Sequence, residues 1–364
     1  MHSKKVRSNK LTKLAMAAAL AFGANIATAE DPLKVGFVYV GPTGDAGWTF
    51  GHDEGRKYIA EKFGDKIETN YVESVAEGAD SERVIRQLAS KGHDLIFTTS
   101  FGYMNPTLKV AKKFKKVKFE HATGYKRSDN VGTYFARAYQ GRYLTGLIAG
   151  KMTKTNVIGY VASFPIPEVI RGINAFTKGA LEVNPNVKVK VVWASTWYDP
   201  AKEREAAETL MLQGADILTQ HTDSAAVIQA AESKGNYAIG YHSDMSAYGA
   251  KAHLTSTVHN WGPLYAAKVQ AVMDGTWKSE DLWPGIAEGV TDLAPLNDAI
   301  PTDVKALVAK KKQAIKDGSI RVFDGPIFDQ SGKEVVPAGS SLDDGALKSF
   351  NWYVKGVEGQ LPKS

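Results

Sequence analysis

The sequence has no cysteine among its 364 residues. Without disulfides an exported chain must be held by core burial, and this length is ample for that, divided over two lobes. The same absence removes the thiol that a lipid-anchored amino terminus would need. Long apolar runs are missing too. Leu14 to Ile26 is the strongest candidate, about 13 residues against the roughly 20 that span a bilayer. A protein not anchored in a membrane is expected. Several catalytic signatures are also absent. There is no G-x-S-x-G elbow, no phosphate-binding loop, and no H-x-x-H or H-E-x-x-H pair to set two metal ligands on one helix. No helix-turn-helix stands before the first strand, which argues against a ligand-sensing repressor.

Residues 1–29 contain no acidic residue. They carry Lys4, Lys5, Arg7, Lys10 and Lys13, then the apolar run, then Ala27-Thr28-Ala29 as an A-x-A pattern. This is the pattern of a Sec-type signal peptide, cleaved after Ala29, that sends the chain to the periplasm. The formal charge of the whole chain is +6, and the leader holds five of those cations, so the remainder is near +1. A nucleic-acid or anionic-membrane partner loses its main support. The one remaining basic run, Lys109 to Lys118, reads as a solvated helix face.

What is present is a regular alternation of short apolar runs with helical spacing. Strands are predicted at 33–40, 66–75, 94–99 and 117–121, with helices at 51–60, 80–89 and 105–115 between them. Residues 131–135 form a strand that starts no new unit. A helix at 140–152 leads to a second series, with strands at 156–162, 187–194, 216–221, 237–242 and 254–258. The helices of that series lie at 167–183, 201–213, 223–233 and 262–273. Asp80 is a candidate N-cap, and Asp199-Pro200 a capped start. The tail is read as strand 285–293, helix 303–316, strand 320–328 and helix 343–355. Strands alternating with helices imply parallel sheets, so the fold class is α/β. The predicted lobes are 30–136 with about 257–318, and 137–256 with about 319–364.

The first strand runs into Gly41-Pro-Thr-Gly-Asp-Ala-Gly-Trp-Thr-Phe50, a tight turn whose backbone can approach a ligand. Open α/β sheets bind ligands at the carboxyl ends of their strands. Those ends collect Asp45, Trp48 and Thr49; Ser100, Gly102 and Tyr103; His121; Ser195 to Asp199 with Trp197; His221 and Asp223; His242 and Asp244; and His259. So many aromatics with carboxylates and hydroxyls suit a flat, polar, mostly uncharged ring. Two alternatives stay open: Trp48 covers the sheet, and Asp223 caps the helix after it. A metal held by His121, His221, His242 and His259 is less favoured than none, since no two share an element. Asp223 and Asp244 as an acid/base pair would make an enzyme. No cofactor and no catalytic group are assigned.

Gly44-Asp-Ala-Gly-Trp-Thr49, Ser195-Thr-Trp-Tyr-Asp-Pro200, Gly240-Tyr-His-Ser-Asp244 and Trp352-Tyr-Val-Lys-Gly-Val357 together resemble the basic membrane protein family of solute-binding proteins. The resemblance covers essentially all of residues 30–364. It implies a type I periplasmic-binding-protein fold, with two doubly wound lobes hinged by crossover strands, and a monomer that delivers a small molecule to an ABC transporter permease. It also implies that Trp48 and Trp197 sandwich a purine, that Asp45 precedes the first stacker, and that Asp244 meets a ribose. Nucleoside-binding members carry Phe and Asn where this chain has Trp48 and Thr49, and a Lys where it has His259. These departures favour a nucleobase such as adenine, hypoxanthine or xanthine over a nucleoside. Alanine at Trp48 or Trp197 is expected to abolish binding and spare the lobes. A sugar receptor of the same fold and an exported nucleosidase are the competing expectations. Carbohydrate sites add Arg and Asn around ring hydroxyls, and nucleosidases cluster Asp on one loop. Neither pattern stands out at these strand ends.

Overall fold

The computed structural model describes residues 31–44 and 46–362. The predicted signal peptide and Asp45 lie outside the described residues.

In the first lobe β1 (Leu33–Val38), α1 (Trp48–Phe63), β2 (Ile67–Val72), α2 (Ala79–Ser90), β3 (Leu95–Thr98), α3 (Met104–Ala111), β4 (Lys118–Ala122) and β5 (Val131–Tyr134) follow one another. The chain crosses into the second lobe with α4 (Ala138–Met152), β6 (Val157–Ala162), α5 (Pro167–Val183), β7 (Lys188–Trp193), α6 (Pro200–Leu212), β8 (Ile217–Gln220), α7 (Ala226–Lys234), β9 (Tyr237–His242) and β10 (His253–His259). It returns through α8 (Gly262–Met273), which packs on α1, and β11 (Asp281–Leu282), which pairs with β5. It then goes back to the second lobe with β12 (Thr291–Leu293) and α9 (Thr302–Lys316). β13 (Ile327–Phe328), β14 (Glu334–Val336), α10 (Asp344–Lys348) and β15 (Val357–Glu358) end the chain.

The first sheet has the order β11-β5-β4-β3-β1-β2, and the second β12-β10-β9-β8-β6-β7-β15. Every pairing in them is parallel except β10 with β12. Central strands such as β3 and β5 are buried throughout, as apolar strands covered on both faces must be. Separate apolar clusters line the two faces of each sheet, Phe37 and Tyr265 against Ile85 and Phe119 in the first. In the second they are Phe176 and Val189 against Leu210 and Ile228. Helices α4 and α5 touch backbone to backbone. A Cβ on Gly146 would fall 2.0 Å from the Phe176 carbonyl oxygen, and one on Gly179 would fall 2.1 Å from that of Tyr143.

The tail departs from the sequence-based reading. Residues 291–316 belong with the second sheet, where β12 joins β10 and Val304, Val308 and Ile315 enter the core cluster of α4 and α5. The expected boundary near 318 gave them to the first lobe. The apolar side of α9 could serve either lobe, and only the antiparallel return at β12 chooses. The long strand expected at 320–328 is reduced to β13, and the helix expected at 343–355 to α10. Asp199 caps α6 by accepting from the Lys202 amide at 3.1 Å. Asp80 is the second residue of α2, whose N-cap is Gly78, so it is not the cap. Lys112, Lys113, Lys115 and Lys116 are exposed, as a solvated face requires.

Candidate functional site

The carboxyl ends of β1, β3, β6, β8 and β9 meet across one cleft, and the lobes are closed on each other there. Ser243 of the second lobe donates a hydrogen bond to the Ala46 carbonyl of the first. Trp48 is the first residue of α1, so the turn before it sets its place at the mouth of the sheet. Thr49 stabilises that turn: its Oγ1 accepts from the Gly41 amide at 3.1 Å.

Between the lobes lies a cavity of about 320 Å³, its open mouth included. Trp48, Val40, Ser100, Phe101 and Thr123 line it from the first lobe. Trp197, Glu168, His221, Asp223 and His242 line it from the second. Trp48 is only 7% exposed, and its Nε1 donates to the Thr99 carbonyl at 2.6 Å. That indole is both core and cavity wall, so the two readings of Trp48 hold together. Trp197 is half-buried, stands edge-on to Phe164 with centroids 5.0 Å apart, and its Nε1 has no partner among the described residues.

The polar rim is neutral or acidic. His242 Nε2 lies 3.4 Å from Asp223 Oδ1, and His221 Nε2 lies 3.3 Å from Glu168 Oε1. Burial holds His221 and His242 well below the ordinary imidazole pKa, and the nearby Arg142 guanidinium adds to the effect in both. A neutral imidazole offers one N–H and one lone pair, which suits the edge of a heterocycle. Burial pushes the Glu168 carboxyl up to about 7, against the pull of Arg171.

Backbone strain gathers at the same edge. Ala46, Thr123, Ser195 and His242 all take positive φ between 52° and 73°. Such conformations cost a non-glycine residue about 1–3 kcal/mol and persist only where the surroundings over-determine them. Thr123 and His242 line the cavity, and Ala46 and Ser195 sit beside its tryptophans.

Of the strand-end residues collected from sequence, Trp48, Trp197, Ser100, His221, Asp223 and His242 line the cavity. Asp223 is not the cap of α7: Ala225 is the N-cap, and the Ala226 amide donates to Ser224 Oγ at 3.2 Å. The other collected residues that are described do not line it. Gly102 gives its amide to Glu77 Oε1 at 2.9 Å, the carboxylate that also accepts from Ser100 Oγ at 2.5 Å. Tyr103 is core, its hydroxyl donating to the Val75 carbonyl at 2.5 Å. His121 is fully buried, with Nδ1 2.9 Å from Thr98 Oγ1, and does not line the cavity. His259 stacks a layer behind the wall, its centroid 6.2 Å from Trp48 and 5.3 Å from His242. Asp244 accepts from the Ser246 amide at 2.9 Å, and its side chain is 43% exposed, away from the cavity.

Glu168 and Thr123 were not on the expected list. A signal for Glu168 existed: Ser163-Phe-Pro-Ile-Pro-Glu168 follows β6, a strand end like those that were collected. Thr123 carries no such mark, because its position depends on a left-handed backbone.

The model of the Bmp family, described as ABC transporter substrate-binding protein PnrA-like, matches residues 33–323. This chain belongs to the Bmp family. Its two doubly wound lobes are those of a type I periplasmic-binding-protein fold. The chain is 52% identical over 337 residues to a purine-binding protein of Brucella abortus (strain 2308), covering 93% of this chain and 96% of that one. It is 38% identical over 332 residues to a putative ABC transporter glucose-binding protein of Haloferax volcanii, covering 91% and 82%. A solved ABC transporter solute-binding protein from Aeropyrum pernix K1 superposes with TM-score 0.70 at 22% identity, over 81% of this chain and 94% of that one. This last likeness concerns the fold. Among the described residues no helix is long and apolar enough to cross a membrane.

Proposed function

We propose that this Bmp-family protein is the periplasmic receptor of an ABC importer and that its ligand is a purine nucleobase such as adenine, hypoxanthine or xanthine. One observation carries the reading: Trp48 and Trp197 come from opposite lobes to line one cavity whose rim offers two carboxyls and two neutral imidazoles. The purine-binding relative at 52% identity supports the same ligand class. A planar heterocycle binds one indole in the open form, and closure brings the other lobe onto it. Each aromatic face contributes about 1–3 kcal/mol, by analogy with base stacking in nucleic-acid binders. Edge groups then select among ligands, because an unmatched buried polar atom costs as much as a stacking contact adds. Asp223, Glu168, His221 and His242 are the edge groups. Asp45, three residues before Trp48, would add an acceptor, and Thr49 holds the turn. No bond is made or broken, and a permease recognises the closed monomer.

The name of the 38% identical relative supports a second reading, a sugar receptor. Thermal unfolding of residues 30–364 against purine bases, nucleosides and sugars decides between them. Ligand at 100 times its Kd adds about 2.7 kcal/mol, roughly 4 °C for a chain of this size. A shift with bases and none with glucose is expected. A shift with glucose alone would replace the purine reading.

A further inference from the structure

Beyond Glu168 the cleft continues into a second cavity of about 570 Å³, which shares Phe101, Thr123 and Glu168 with the first. Its far wall holds Arg171, Trp283, Asp281 and Lys348. Nearly every charge around it is matched. Lys348 Nζ lies 2.5 Å from Asp281 Oδ2, and Arg137 Nη2 lies 2.7 Å from Asp344 Oδ2. Glu168 faces His221, and burial raises its carboxyl to about 7 against the pull of Arg171.

Arg171 is the exception. It is 4% exposed, and its guanidinium gives one hydrogen bond, from Nη1 to the Leu347 carbonyl at 2.7 Å. It lies 4.8 Å from the centre of the Trp283 ring. No carboxylate comes within ion-pair distance of it among the described residues. A guanidinium has five donors and keeps its proton under all ordinary conditions. Burying one without an anion is costly, and clamping a single carbonyl needs neither the charge nor a cavity beside it.

We propose that this second compartment, built around Arg171, takes a carboxylate carried on a short arm by the heterocycle in the first. The inference rests on the purine reading of the aromatic compartment. The full-length receptor then discriminates among substituted purines by charge, with Arg171 in the role of a bidentate carboxylate clamp.

The test compares adenine with adenine-9-acetic acid and N6-carboxymethyladenine, each beside its neutral primary amide, by titration calorimetry. In the native protein at least one acid binds tenfold or more tighter than its amide. In Arg171→Gln that ratio falls to near one, while the Kd for bare adenine stays within twofold. Arg171→Lys, which keeps the charge, retains several-fold of the preference. A purely structural Arg171 would alter the melting temperature or weaken all ligands alike, and leave the acid-to-amide ratio unmoved. Tight binding of adenine with neither acid preferred overturns the second compartment and leaves the aromatic one standing. No binding by any purine overturns both.

Discussion

A Cβ on Gly47 would lie 2.3 Å from the carbonyl oxygen of Asp223 and 2.6 Å from its Cα. The first residue belongs to the turn of one lobe and the second to a strand end of the other. Closure therefore brings backbone against backbone, and only a residue without a side chain permits it. The Gly47 backbone, at φ −119° and ψ −123°, also lies outside the regions open to a residue with a Cβ, so alanine meets an obstacle within the turn as well as across the cleft. Gly47→Ala should lower the ligand-free melting temperature by a few degrees, from about 1–3 kcal/mol of turn strain, and in addition weaken ligand binding at least tenfold, about 1.4 kcal/mol. Small-angle scattering with and without ligand checks the cause: the native protein compacts and the variant does not.

The two tryptophans should respond differently to alanine. Trp197 is half-buried, so Trp197→Ala is expected to cost roughly 10–100-fold in affinity, matching about 1–3 kcal/mol of stacking, with the melting point intact. Trp48 packs against His52, Trp261 and His242 and is held by Thr99. Removing it should cost about 3–5 kcal/mol of stability as well as binding. Calorimetry paired with thermal melts of both variants separates binding from folding. Equal melting points would show that Trp48 bears no core load.

Acid should destabilise the protein well before its surface carboxylates titrate. His52, His221 and His242 are held well below the ordinary value of 6.5, and His121 and His259 at about 3, all chiefly by burial. The unfolded chain takes up those protons as pH falls below 6.5 and the native protein does not, so stability drops from there towards pH 3. Glu120 and Glu168, raised to about 7, act in the opposite direction: their contribution falls as pH rises from about 4.5 to 7. Five imidazoles outweigh two carboxyls. The melting temperature at pH 5 should lie below that at pH 7.5, and a higher one would refute the neutral assignment of these imidazoles.

Glu120 is fully buried under the first sheet, 3.1 Å from Lys268 Nζ and 2.8 Å from Trp277 Nε1. Lys268→Met strands that carboxylate and should cost about 3–5 kcal/mol at neutral pH. Because a protonated Glu120 carries no charge, the deficit should shrink as pH falls below about 6. A deficit independent of pH, measured by denaturant titration at pH 7.5 and 5.5, would show that packing and not charge is lost.

Local pattern was enough for much of this molecule. The alternation of apolar runs with helical spacing placed most of the strands and helices through α8, because each element buries a face that its own sequence marks. The glycine-rich turn before Trp48 and the polar strand ends announced a cleft for the same reason, since a strand's carboxyl end is a topological fact. Tertiary structure alone decided the rest. Asp244 and His121 stand at strand ends like Asp223, yet one turns out to solvent and the other is covered, according to the twist and neighbours of each strand. Glu168 enters the site from a helix start, and Arg171 one turn later has no carboxylate within ion-pair distance among the described residues, while Asp281 and Asp344, distant in sequence, pair with Lys348 and Arg137. Short tail strands such as β12 carry too little periodicity to choose a sheet. Pairing with a strand already in place chose for them.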